Sequence, residues 1–163
     1  TPLYSSAASD VYKRQEPALS VELELHAAAT YAANFGVDHT YAGDIAQLDS
    51  EDIPPADLVI GGPPCQGFSN LGARDINDPR NKLWQEYLRV VAKAKPQVFV
   101  IENVDRFLRS TEFEALKGSV ADGALSDYSL TYGVLNAANF GVPQRRNRTI
   151  VIGSAPSAMA TTS

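Results

Sequence analysis

Two short runs of mostly apolar residues constrain the fold of this chain more than any other feature. Residues 57–60 (Asp-Leu-Val-Ile) lead into Gly61-Gly62-Pro63-Pro64, and residues 97–101 (Gln-Val-Phe-Val-Ile) lead into Glu102. A short apolar run that ends in a turn or a polar residue is typical of a central parallel strand, because such a strand is buried on both faces. The sequence therefore predicts buried strands over 57–60 and 97–101, each followed by a loop at its carboxyl end.

The remaining patterns alternate between helices and strands. An apolar strand near 20–23 leads into an Ala-rich helix near 26–34, which Gly36 ends in the position that favours glycine. A helix over 83–95 has apolar residues at helical spacing and ends before Pro96. Alternation of this kind predicts a single α/β domain with an open, mostly parallel sheet and right-handed crossovers. The other predicted elements are strands near 38–41, 129–135 and 149–152 and a short helix over 111–120.

Composition restricts the class of protein. At 163 residues and 44% apolar, the chain can bury one sizeable core. Its longest apolar runs are far shorter than the roughly 20 residues that cross a bilayer, so we expect a soluble protein without membrane contact. Its single cysteine can form neither an internal disulfide nor a zinc site by itself, which favours a reduced, cytoplasmic setting and no metal. The formal net charge of -5 weighs against a large phosphate-binding surface.

Chemically useful side chains follow both predicted strands. Cys65 comes after Pro63 and Pro64, and because two prolines fix φ the thiol is expected on a stiff approach. Glu102 follows the second strand, and a carboxyl group at the end of an apolar strand is suited to donating a proton. Loops at the carboxyl ends of parallel strands build the site in open α/β sheets. A thiol and a proton donor at such strand ends can face one small planar substrate.

A cluster of basic residues precedes the last predicted strand, in Gln144-Arg145-Arg146-Asn147-Arg148. In an extended segment Arg146 and Arg148 point to one side, so they can meet an anion, lower the pKa of a thiol or hold the Glu102 carboxyl group. Taken singly, each feature has an ordinary structural interpretation: a buried apolar cysteine, a helix N-cap at Glu102, or a solvated charge cluster. Their joint occurrence at strand ends favours a catalytic site.

Three sequence blocks stand in a fixed order: Gly61 to Ser69 (Gly-Gly-Pro-Pro-Cys-Gln-Gly-Phe-Ser), Glu102-Asn103-Val104, and Gln144-x-Arg146-x-Arg148. In these blocks, and over about 21–153, the chain resembles the DNA cytosine-5 methyltransferases. The resemblance implies a Rossmann-like α/β catalytic domain that depends on S-adenosylmethionine. Weaker agreement is seen at Val21-Glu22-Leu23, Gly43-Asp44-Ile45 and Asp78-x-Arg80-x-x-Leu83.

The resemblance implies roles for the catalytic residues. Cys65 is similar to the nucleophile that adds to cytosine C6, which makes C5 electron-rich enough to take a methyl group. Glu102 resembles the acid that contacts N3 and the exocyclic amine, and Arg146 and Arg148 resemble the pair that orients the base. The implied substrate is double-stranded DNA, whose target cytosine must be flipped out because its reacting carbon lies inside the duplex. Implied DNA contacts, within a mobile loop over 66–81, are Gln66, Ser69 and Arg80.

A cofactor site is also implied by the resemblance. Glu22 matches the carboxylate that holds the cofactor ribose hydroxyls, with Leu23 next to it in the same block. Asp44 and Ile45 match the adenine-contacting pair. The implied cofactor-binding set is Glu22, Leu23, Asp44, Ile45, Pro64 and Leu83, and it contains no metal ligands.

Residues 12–17 depart from the family, which has a Gly-rich loop just before the strand that carries Glu22. The first strand of the sheet is therefore expected to be missing or replaced, with residues 1–15 disordered or foreign. We expect a partial catalytic domain over 16–153 and a frayed tail over 154–163, with the target-recognition domain absent. The sequence does not fix the oligomeric state, for which a monomer is the simplest expectation.

Other functions remain open at this point. An RNA methyltransferase acting on transfer RNA would use the same base chemistry, although Gly67-Phe68-Ser69 looks more like the DNA branch. A non-catalytic binding module of the same fold is a second alternative. A nicotinamide-binding protein is disfavoured, because no Gly-x-Gly-x-x-Gly follows a first strand.

Overall fold

The computed structural model describes residues 16–64 and 80–156, which form strands and helices in alternation. The helices are α1 (Leu25–Phe35), α2 (Arg80–Ala94) and α3 (Thr111–Asp122). The strands are β1 (Ser20–Glu22), β2 (Thr40–Ala42), β3 (Leu58–Gly61), β4 (Val98–Asn103), β5 (Ser129–Asn136) and β6 (Asn147–Ser154).

The described strands form two sheets. Parallel strands β1 and β2 make a small sheet, and the second sheet has the order β3-β4-β6-β5. Strands β3 and β4 are parallel, as the two apolar runs predict, whereas β6 is antiparallel to both of its neighbours. The open α/β arrangement expected from the sequence is therefore confirmed. Strands β1 and β3 each have one edge that is not paired with another described strand.

The larger sheet buries one of its faces. Along β4, Phe99 and Ile101 are fully buried while Val98 and Val100 are only half-buried. Helices α2 and α3 contribute to the same apolar cluster as the buried residues of β4. Because side chains alternate between the faces of a strand, this pattern places both helices on one side of the sheet. The cluster includes Trp84, Val91, Phe107, Leu116 and Val151.

A close approach of α2 fixes the end of β3. A Cβ atom added at Gly61 would collide with the ring of Tyr87, so this position requires glycine. The Tyr87 hydroxyl donates to the Val100 carbonyl at 3.0 Å, and burial raises the pKa of Tyr87 well above its ordinary value. The packing of α2 against Gly61 therefore fixes the point at which the chain leaves β3.

Several element boundaries differ from the predicted ones. Strand β6 begins at Asn147 rather than 149, because its ladder with β4 and β5 extends toward that end. Short 3₁₀ turns were not predicted, because three to five residues carry too little periodicity to recognise. They are Ile45–Gln47, Ser50–Asp52, Asp105–Arg109 and Ala137–Phe140. The predicted segment 1–15 and most of the predicted tail lie outside the described residues. Within 16–64 and 80–156, no helix is long and apolar enough to cross a membrane.

Candidate active site

The loop after β3 and the end of β4 are joined by Asn103. This residue is only 6% exposed, and its Nδ2 donates to the carbonyl oxygen of Pro63 at 2.9 Å. Its Oδ1 accepts from the backbone N–H of Val104 at 2.8 Å. Both ends of the buried amide are therefore satisfied, as buried polar groups require. The hydrogen bond to Pro63 fixes the backbone two residues before Cys65, which itself lies outside the described residues.

Glu102 lies beside the same loop. A Cβ built on Gly62 would be 3.5 Å from Oε2 of Glu102, so the loop passes close to the carboxylate. The Nε of Arg148 is 2.7 Å from Oε1 of Glu102. Glu102 is opposite Ile150 in the antiparallel ladder, and Arg148 stands two residues further along the same face of β6. Diagonal neighbours of this kind are within reach of long side chains.

The two predicted arginines have different surroundings. The Arg148 side chain is 24% exposed, and its Nη1 also donates to the carbonyl of Asn147 at 2.7 Å. Arg146 precedes β6 and is exposed, and its backbone carbonyl accepts from Ala137. Within the described parts of the chain the Arg146 side chain makes no hydrogen bond or ion pair. The structure thus brings Arg148 to Glu102, whereas Arg146 is exposed and has no side-chain partner among the described residues.

A cavity of about 840 Å³ lies between the edge strands of the two sheets. Residues of β1 form one side and residues of β3 with the start of its loop form the other. The volume is within the range of small-molecule sites. All six residues of the implied cofactor set line this cavity: Glu22, Leu23, Asp44, Ile45, Pro64 and Leu83.

Two carboxylates sit where β1 and β2 end. Oε1 of Glu22 accepts from the N–H of Glu24 at 2.9 Å, and Oδ1 of Asp44 accepts from the N–H of Ala46 at 2.9 Å. The N–H of Gly43 donates to the carbonyl of Glu22 at 2.9 Å, which ties the two strand ends together. The second oxygen of each carboxylate accepts no hydrogen bond within 16–64 and 80–156. Each therefore remains available to a ligand hydroxyl or amino group.

Most of the remaining cavity surface is apolar, and several of its residues were not anticipated. They come from α1, from the segment before β3 and from the inner side of α2. Among these elements, only α2 has a sequence pattern that indicates burial, namely its helical spacing of apolar residues. That pattern does not show which part of the molecule α2 packs against. The unanticipated lining residues include Tyr31, Ile53, Pro54, Pro55, Tyr87, Val90 and Ala94.

Of the three predicted DNA-contacting residues, only Arg80 belongs to a described element. Gln66 and Ser69 lie, with Cys65, outside the described residues. Arg80 is the first residue of α2, and its side chain is not described. Among residues 16–64 and 80–156, no group of three His, Cys, Asp or Glu side chains could hold a metal ion.

The family model for C-5 cytosine-specific DNA methylases matches residues 8–161. The chain belongs to this family. It is 40% identical to the Type II methyltransferase M1.HphI of Haemophilus parahaemolyticus over 144 residues, which cover 83% of this chain and 39% of that protein. It is 38% identical to the Type II methyltransferase M.AquIA of Picosynechococcus, covering 84% of this chain and 62% of that protein. The chain thus spans less than two thirds of these relatives.

Solved structures agree with this assignment. The fold is similar to that of the Dnmt2 methyltransferase of S. pombe, with a TM-score of 0.75 and 25% identity. That comparison covers 93% of this chain and 47% of the other. A putative DNA modification methyltransferase encoded in an E. coli prophage gives a TM-score of 0.68 and 30% identity, covering 89% of this chain and 42% of the other. The methyltransferase fold expected from the sequence blocks is therefore confirmed.

Proposed function

We propose that this chain provides the catalytic region of a DNA cytosine-5 methyltransferase. It would transfer a methyl group from S-adenosylmethionine to C5 of a cytosine flipped out of double-stranded DNA, through a covalent bond between Cys65 and C6. The observation that carries the proposal is the cavity lined by all six expected cofactor residues. The cavity shares the Gly62 to Pro64 segment with the group formed by Glu102, Asn103 and Arg148.

The cavity suits an adenosine-containing ligand. The free oxygen of Glu22 can accept hydrogen bonds from the ribose hydroxyls, as an acidic residue at a strand end does in nucleotide-binding α/β folds. Asp44 can accept from an amino group at the edge of adenine, while Ile45 and Leu83 offer apolar contact to the ring. Pro64 and Leu23 would complete the enclosure. When bound, S-adenosylmethionine supplies an electrophilic methyl group.

The residues at the ends of β3, β4 and β6 would act on the base. The thiolate of Cys65 forms a bond to C6, and the electron pair of the C5–C6 double bond becomes available at C5. Glu102 in its protonated form stabilises this state by donating a hydrogen bond, or its proton, to N3. C5 takes the methyl group and S-adenosylhomocysteine is released. The C5 proton then passes to solvent water, the C5–C6 double bond re-forms and the thiolate leaves C6. Arg148 holds the Glu102 carboxyl group in place, and the Arg146 side chain is proposed to contact the base or a phosphate.

Contacts to DNA are proposed at Gln66 and Ser69, which lie between β3 and α2 in the sequence, and at Arg80, the first residue of α2. The family description and the relatives named as Type II methyltransferases support DNA as the substrate. Transfer RNA is retained as an alternative substrate, to be decided by experiment. The net charge of -5 belongs to a chain that spans only 39% of M1.HphI. It therefore says little about the charge of a whole enzyme and does not conflict with DNA binding.

A hybrid enzyme tests the proposed chemistry. Residues 21–153 replace the matching segment of M1.HphI, and methyl transfer from radiolabelled S-adenosylmethionine is measured with duplex DNA and with transfer RNA. We expect labelling of DNA, trapping of a covalent complex by DNA containing 5-fluorocytosine, and loss of both in Cys65→Ala. A covalent complex that persists in Cys65→Ala would exclude Cys65 as the nucleophile. Preferential labelling of transfer RNA would contradict DNA as the substrate and support transfer RNA instead.

A further inference from the structure

Arg89 connects α2 to two turns beside the cavity. Its Nη1 donates to the Ser50 hydroxyl at 2.8 Å, and its Nη2 donates to the Ile45 carbonyl at 2.9 Å. Its Nε lies 2.6 Å from Oε2 of Glu86, one turn earlier on the same helix. The side chain is 28% exposed, so these contacts are partly shielded from water. A planar guanidinium makes three such bonds in a fixed geometry, which a lysine ammonium does not reproduce.

The turns that Arg89 contacts have little structure of their own. Ile45–Gln47 and Ser50–Asp52 are each a single 3₁₀ turn. Each begins with an aspartate cap, at Asp44 and Asp49, and single turns of this kind are too short to be stable alone. Outside contacts therefore determine where residues 44–52 lie.

One of these turns carries a wall of the cavity. Asp44 and Ile45 line the cavity, and Arg89 binds the carbonyl oxygen of Ile45 itself. Arg89 does not line the cavity, so it acts through the turn rather than by touching a ligand. Glu86 orients the guanidinium from the helix side, which sets the position of the turn relative to α2.

A second ion pair joins the same elements and provides a natural comparison. Lys93 on α2 lies 2.7 Å from Glu51. The Glu51 side chain is 83% exposed, so water and salt screen this pair. It contacts neither Asp44 nor Ile45, and we assign it no part in shaping the cavity.

We propose that Arg89 is a positioning residue that fixes the Asp44–Ile45 wall of the cavity and so sets its affinity for an adenine nucleoside. The second half of this inference rests on the proposed function, whereas the first half concerns the protein alone. The matched variants are Arg89→Gln, Arg89→Lys and Lys93→Gln.

Hydrogen exchange of the 163-residue chain without ligand tests the first half. The amides of Gln47 and Leu48 donate within the first turn, whereas that of Gly43 donates to Glu22 in the small sheet. We expect Arg89→Gln to speed exchange at Gln47 and Leu48 by roughly tenfold or more and to leave Gly43 unchanged. Arg89→Lys should recover only part of the protection, and Lys93→Gln should match the unchanged chain. The positioning role would be overturned if Gln47 and Leu48 exchanged at the same rate in Arg89→Gln and in the unchanged chain. Acceleration at Gly43 as well would also overturn it.

Calorimetric titration with S-adenosylhomocysteine and with adenosine tests the second half. Arg89→Gln should weaken both ligands by a similar factor of roughly ten, because the affected wall faces the nucleoside. Unchanged affinity despite faster exchange at the turn would overturn the link to the ligand. If the unchanged chain binds neither ligand, the proposed function and this link fail together, while the exchange result still decides whether Arg89 fixes the wall.

Discussion

The Nε of Arg148 lies 2.7 Å from Oε1 of Glu102, across the antiparallel pair formed by β4 and β6. Both side chains are partly exposed, at 24% and 34%. The ladder register brings them together without any special loop, because Arg148 lies diagonally from Glu102 on the same face. The pair therefore belongs to the sheet.

The substitution Glu102→Gln should greatly reduce methyl transfer while changing the free energy of unfolding only slightly. Partly exposed ion pairs contribute about 0–1 kcal/mol, so the free energy of unfolding, measured with urea, should fall by less than about 1 kcal/mol. Methyl transfer by the hybrid enzyme should fall by roughly a hundredfold or more, because Glu102 is proposed to act on N3. Cofactor affinity should not change, since Glu102 does not line the cavity. A variant with full activity would remove Glu102 from the mechanism.

Asn103→Ala should destabilise the chain, because it leaves the Pro63 carbonyl and the Val104 N–H without their partner. The expected loss in the free energy of unfolding is about 1–3 kcal/mol. Asn34→Ala is the comparison, since Asn34 is exposed on α1 and bonds only within its helix. Urea unfolding of both variants checks this, and equal losses would contradict the role given to Asn103.

Two glycines should respond to alanine in opposite directions. Gly61→Ala would place a methyl group against the ring of Tyr87, and we expect a loss of about 1–3 kcal/mol in stability. Gly118 lies inside α3 with no atom within 4 Å of its added Cβ, so Gly118→Ala should gain about 0.5–1 kcal/mol. Thermal or urea unfolding measures both. A stable Gly61→Ala variant would mean that α2 does not approach β3 as described.

Glu24 makes the start of α1 sensitive to acid. The N–H groups of Ala27 and His26 donate to its carboxylate and hold its pKa below the ordinary value of 4.5. A lowered pKa in the folded state means that this contribution is present above the unfolded value and is lost as pH falls through the folded value. We expect the difference in stability between the unchanged chain and Glu24→Gln to shrink below pH 4.5. Acid unfolding followed by circular dichroism measures it, and a difference that grows as pH falls would contradict the assignment.

Much of the fold follows from local pattern. The apolar runs before Gly61 and Glu102 predict β3 and β4, because a short apolar run that ends in a turn or a polar residue is typical of a central strand. The prediction of burial on both faces was wrong for β4, which fully buries only the face that carries Phe99 and Ile101. Gly36 predicts the end of α1, and it adopts a φ of 115° there. The 3₁₀ turns were beyond prediction because they are too short to show periodicity. The contact of Arg89 with Ile45 was beyond prediction because the two residues lie far apart in the chain.

The candidate site was predicted in part. The blocks around Glu22 and Asp44 indicated a cofactor set by resemblance, and the structure adds that all of it lines one cavity. The basic segment suggested that Arg146 and Arg148 share a face, but β6 begins only at Asn147. Strand register, which brings Arg148 alone to Glu102, could not be inferred from spacing.

The cavity as a cofactor site is tested most directly by calorimetric titration of S-adenosylhomocysteine into the 163-residue chain and two of its carboxylate variants. Glu22→Gln keeps the acceptor for the Glu24 N–H but loses its charge, whereas Glu24→Gln alters a nearby carboxylate that does not line the cavity. The account predicts saturable binding by the unchanged chain, binding weaker by about tenfold or more in Glu22→Gln, and little change in Glu24→Gln. Absence of binding by the unchanged chain, or equal affinity in Glu22→Gln, would contradict it.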